Sequence, residues 1–115
     1  MNKICTTIDQ SKKLIELGID VNTADMCYVR AHYDRPKSQS WFLQLGKPIK
    51  SDDVIGAWSL SALLELMPYP FLSELSNGIW KCGGYPKGIC NYVTSESSLD
   101  AAFEMVCWLK ENKKI

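Results

Sequence analysis

Five cysteines and a single histidine are the side chains in this sequence whose types most directly invite chemistry. A metal centre would draw on Cys27, His32, Cys82, Cys90 and Cys107. The spacings Cys27-x4-His32 and Cys82-x7-Cys90 match no standard zinc pattern. A thiolate–imidazole nucleophile would need His32. Cys27 and His32 are five positions apart, so on a continuous strand they point to opposite faces. The glycine-rich stretch Gly83 to Gly88, with Lys87, lacks the Gly-Lys-Ser/Thr ending that cradles phosphate, and no helix follows it directly. Carboxylates pair at Asp52-Asp53 and at Asp100 with Glu104. A solvated loop and a solvated helix face explain both without acid–base work. No catalytic residue, cofactor site or metal ligand set emerges.

Aromatic side chains carry the stronger signal. Tyr33, Trp41, Tyr69, Trp80, Tyr85 and Tyr92 exceed what a small core absorbs. Tyr33, Trp41, Trp80 and Tyr85 are the residues expected to line a ligand or partner surface, where Tyr and Trp are favoured anchors. The plainer account is half-burial, with the polar tip in water.

The elements that must position these residues follow from length and pattern. The 115 residues fit one domain over 1–115, long enough to bury a core without a metal or disulfide staple. Hydrophobic residues make up 46% and charged residues 23%, which is globular usage. Thirteen basic and thirteen acidic residues give zero formal charge, which disfavours nucleic acid or an anionic membrane as the main partner. The first residues show no signal-peptide run, and the longest uncharged apolar run, Val54 to Leu64, is too short to span a bilayer. An odd cysteine count without a Cys-x-x-Cys pair points to free thiols in the cytoplasm.

The segment Ser97 to Lys110 is the best-specified helix. Ser97 is its expected cap, with Asp100 as capping-box partner. Leu99, Ala102, Phe103 and Val106 form one buried stripe, which Ala101, Met105, Cys107, Trp108 and Leu109 widen. A helix so apolar must be covered on two sides, and the rest of the fold is expected to cover it. A first helix is read from Ile8 to Leu17, with Thr7 and Gln10 as its capping box and Gly18 as its stop. A second runs from Leu60 to Met67 behind Ser59 and ends at Pro68.

Strands are read at Met26 to Arg30, Trp41 to Leu45 and Ile89 to Val93, with loops at Ala31 to Ser40 and through Asp52-Asp53. Asn77-Gly78 predicts a two-residue type I′ hairpin between Phe71–Ser76 and Ile79–Cys82. Its register would oppose Ser76 to Ile79, Leu75 to Trp80, Glu74 to Lys81 and Ser73 to Cys82. A short helix from Pro70 to Ser76 is the competing reading.

The stretches Trp58 to Pro68 and Asp100 to Leu109 resemble segments of small uncharacterised proteins of prophages and mobile elements of gut Bacteroidales. Cys5 to Leu14 and Thr23 to Met26 are similar to theirs as well. The resemblance implies a bacterial, phage-related origin and carries no activity or functional residues with it.

The expected fold is α+β: one mostly antiparallel four- to five-stranded sheet with three helices packed against it. The expected function is a non-enzymatic binding or protein-interaction module of a phage or mobile element, with a homodimer or another protein as its partner. Two alternatives stay open: a small enzyme with an unrecognised site, and a weak nucleic-acid binder.

Overall fold

The computed structural model describes residues 3–32, 39–83 and 92–115, apart from the side chains of residues 31, 32, 39, 40 and 76. Helix α1 spans Ile8–Glu16. The Thr7 hydroxyl accepts from the Gln10 N–H (3.1 Å) and the Gln10 side chain accepts from the Thr7 N–H (3.0 Å), so both halves of the capping box form. Gly18 takes φ +91°, a left-handed conformation costly for any other side chain. That turn lets the Ile19 N–H reach back to the Leu14 carbonyl at 3.0 Å.

Strands β1 (Met26–His32), β2 (Gln39–Leu45) and β3 (Val54–Ala57) form one antiparallel sheet in the order β2-β1-β3. Strands β4 (Phe71–Glu74), β5 (Trp80–Gly83) and β6 (Tyr92–Ser95) form a second in the order β4-β5-β6. Between the sheets in sequence lies α2 (Leu60–Glu65), capped by Ser59, whose hydroxyl accepts from the Ala62 N–H. Helix α3 (Ser98–Glu111) closes the chain, capped by Ser97.

The α+β class therefore holds, but the single four- to five-stranded sheet does not: the described strands form two three-stranded sheets. The reason lies in which edges are taken. β3, read from sequence as a loop, pairs with β1 on the side that β2 leaves open. β5 is likewise filled by β4 and β6. Each central strand is flanked on both sides within its own sheet, and no strand of one sheet pairs with a strand of the other.

The hairpin is also corrected by one residue. Glu74 opposes Trp80, Ser73 opposes Lys81, and Leu72 opposes Cys82. The Leu75 N–H donates to the Ile79 carbonyl, and Ser76–Gly78 makes a single 3-10 turn with Asn77 and Gly78 both at positive φ. A three-residue loop replaces the two-residue one. A slip of one residue exchanges the two faces of a strand. Here it places Leu72, Cys82 and Val93 in one row against the core and leaves Leu75 exposed. The strand expected from Ile89 starts at Tyr92, and residues 89–91 lie outside the described residues.

Helix α3 behaves as its composition demands. Leu99, Ala101, Ala102, Met105, Val106, Cys107 and Leu109 are buried, and Phe103 and Trp108 are half-buried. The β4-β5-β6 sheet packs on this helix, and Leu63 of α2, Leu14 of α1 and Trp58 join the same core. Trp58 is fully buried at the β3–α2 junction, and its indole N–H donates to the Thr23 hydroxyl at 2.9 Å.

Candidate functional site

The β2-β1-β3 sheet has two unlike faces. On one, Met26, Tyr28 and Arg30 of β1 lie beside Leu45, Leu43 and Trp41 of β2. Cys5, Met26 and Ala57 form a small buried cluster there, with Tyr28 and Leu43 packed on it. The Tyr28 hydroxyl donates to the Thr6 carbonyl at 2.7 Å and lies 3.6 Å from Cys5 Sγ. Burial raises the Cys5 thiol and the Tyr28 phenol above their ordinary pKa values. Burial thus disfavours the ionised form of both groups.

The other face is open. Val29 of β1 stands between Phe42 of β2 and Val54 of β3, so three apolar side chains cross the sheet in one row. Phe42 is 47% exposed. Next to this row a groove of about 410 Å³ runs between α1 and the sheet. Ile15, Val21, Pro48, Ile49 and Val54 line it, and Gly56 forms part of its floor. A Cβ at Gly56 would stand 3.1 Å from Val21 and 3.2 Å from Ala24, so the glycine permits the close approach of the segment that precedes β1. Lys12 and Lys50 stand at the rim with Glu16 between apolar walls. Ile15, Val21 and Ile49 are all exposed, although each is a large aliphatic side chain. Grooves of this size with apolar walls and few charged groups are the usual form of a binding site.

The residues singled out from sequence do not meet in one place. Trp41 lies on the face opposite the groove, with the Arg30 guanidinium 4.8 Å from its ring centroid. Arg30 Nε is in turn 3.7 Å from an Asp53 carboxylate oxygen. Trp80 sits in the other sheet, half-buried against the α3 core. Tyr33 and Tyr85 lie outside the described residues, as do Cys90 and most of the Gly83–Gly88 loop.

Asp100, Cys82 and Cys107 are engaged in structure, and the His32 side chain lies outside the described residues. Asp100 does not close a capping box: its carboxylate accepts from Gln10 Nε2 (2.8 Å) and pairs with Lys3 Nζ (3.0 Å), tying α3 to α1 and to the N-terminal segment. Cys82 and Cys107 are buried, and burial pushes both thiols up to about 11. Among the described residues no group of three His, Cys, Asp or Glu side chains is placed to hold a metal ion. Among them, too, no helix is long and apolar enough to cross a membrane.

Sequence reasoning missed the groove. Ile8, Leu14, Ile15 and Leu17 read together as the apolar face of α1, and Leu14 is fully buried as that reading requires, whereas Ile15 is exposed. The β-branched pair Val54-Ile55 was the available sign that a strand follows the Asp52-Asp53 turn.

No family model, curated protein or solved structure matches the chain.

Proposed function

We propose that this protein is a non-enzymatic interaction module, and that the groove between α1 and the β2-β1-β3 sheet receives a protein partner. One observation carries this reading: Ile15, Val21 and Ile49 remain exposed together around a groove of about 410 Å³. Exposed apolar side chains are ordinary when scattered, whereas a contiguous patch around a concavity is where partners dock. The rim sets the chemistry of the partner. Lys12 and Lys50 outnumber Glu16, so the groove favours an apolar anchor side chain with a carboxylate beside it. A cytoplasmic setting and service to a phage or mobile element complete the proposal; the latter rests on the sequence resemblance.

A random peptide display against the intact protein tests the reading. Selected peptides should converge on a large apolar residue next to Asp or Glu. Their binding should fall at least about tenfold with Ile49→Asp. Selection of peptides without an apolar anchor, or binding indifferent to Ile49→Asp, would remove the groove as the site.

A further inference from the structure

The open edge of β2 carries a second inference, independent of the groove. Arg30 N–H donates to the Asp53 carbonyl on the β3 side (2.8 Å), and Gly46 N–H donates to the Asp25 carbonyl on the β2 side (3.1 Å). These two bonds fix the phase of the ladder. The even-numbered residues of β2 turn their backbone groups to β1, and Gln39, Trp41, Leu43 and Leu45 turn theirs to the open edge.

That edge is seven residues long, and Gln39-Ser40-Trp41-Phe42-Leu43-Gln44-Leu45 contains neither a charge nor a proline. Charges, prolines and short lengths are the means by which proteins keep sheet edges from pairing. The other edge strands, β3, β4 and β6, are four residues each. Among the described edge strands, β2 alone is both long and unguarded.

We propose that β2 pairs antiparallel with β2 of a second copy, joining two three-stranded sheets into one of six strands. The register follows from the phase. Outward-facing backbone groups must meet outward-facing ones, so the two-fold axis falls on a residue of β2 itself. Centring on Phe42 uses all seven residues, whereas centring on Trp41 or Leu43 uses five. In the Phe42 register Trp41 exchanges both backbone hydrogen bonds with Leu43 of the second copy, and Gln39 does so with Leu45. Phe42 faces its own counterpart in the closer, non-hydrogen-bonded type of pair. Aromatic–aromatic and aromatic–aliphatic pairs are favourable in that setting. The two Phe42 side chains then lie on the groove face, which accounts for a large aromatic left 47% exposed there.

Self-pairing about Phe42 gives a test that no other partner passes. Light scattering on the intact chain over micromolar to millimolar concentrations should yield twice the 13.0 kDa chain mass. Phe42→Lys and Phe42→Glu should each weaken the dimer at least about tenfold, because each sets like charges directly opposite one another. An equal mixture of the two should restore the dimer as a mixed species in native mass spectrometry. Leu43→Pro removes an amide that faces only the open edge, so it should give a monomer with the circular dichroism of the wild type. A wild-type chain that stays monomeric throughout would overturn the proposal. So would dimers that survive Phe42→Lys or Leu43→Pro, or a mixture that does not re-pair. Ile49→Asp should leave the dimer intact, which separates this outcome from the groove reading.

Discussion

Thr6 and Trp58 hold each other through a reciprocal pair of hydrogen bonds: the Thr6 N–H donates to the Trp58 carbonyl at 2.9 Å, and the Trp58 N–H donates to the Thr6 hydroxyl at 3.1 Å. Thr6 is fully buried, and its hydroxyl also lies 2.7 Å from the Ser11 hydroxyl. One side chain thus joins the N-terminal segment, α1 and the β3–α2 junction. Thr6→Val keeps the shape and deletes the oxygen, leaving the buried Trp58 amide without its acceptor. The expected cost is about 2 kcal/mol, read as a lower urea midpoint with an unchanged slope. A midpoint equal to the wild type would show that the contact is dispensable.

The α3 core should be intolerant of truncation. Met105 and Leu109 are fully buried, so Met105→Ala or Leu109→Ala leaves a cavity that the sheet and α2 close only in part. Each should cost about 2–5 kcal/mol by chemical denaturation. Glu104→Ala, on the wetted side of the same helix, should change stability by less than about 0.5 kcal/mol.

These contrasts also show where the sequence was legible. Capping residues and apolar stripes are local, so Thr7, Gln10, Ser59 and Ser97 located the starts of the three described helices, and Gly18 the end of the first, to within a residue or two. The sheets were not legible in the same way. Pairing of Val54–Ala57 with β1 joins residues about thirty positions apart, and nothing in either segment names the other. Asn77-Gly78 marked the turn, but the left-handed conformation of both residues serves a three-residue loop as well as a two-residue one, so register was lost. The groove lies between α1 and that unforeseen β3, which is why the aromatic residues drew attention instead of Ile15, Val21 and Ile49.

Gly56 is the residue on which the shape of the groove depends. A methyl group there presses on Val21 and Ala24 at 3.1 Å and 3.2 Å, and both belong to the segment leading into β1. Gly56→Ala should cost about 1–3 kcal/mol and shift the amide resonances of residues 21 to 24. Unshifted resonances would mean that the segment does not rest on the sheet.

The buried thiols impose a pH dependence. Cys82 and Cys107 are held near 11, both chiefly by burial, against 9.0 for an unburied thiol. Above pH 9 the unfolded chain releases protons that the folded chain retains, so rising pH favours unfolding. Their contribution is fully present below pH 9 and is lost as pH rises toward 11. The urea midpoint of the wild type should fall more steeply over this window than that of Cys82→Ala. Parallel slopes would place the Cys82 thiol in contact with water.

The most direct measurement is a fluorescence titration with anilinonaphthalene sulfonate, an apolar aromatic probe carrying one negative charge. The groove has apolar walls and two lysines at its rim, so the folded protein should bind the probe saturably. Ile49→Asp and the pair Lys12→Glu with Lys50→Glu should each weaken binding by about tenfold or more at unchanged stability. An absence of saturable binding, or affinity untouched by these exposed substitutions, would contradict the account.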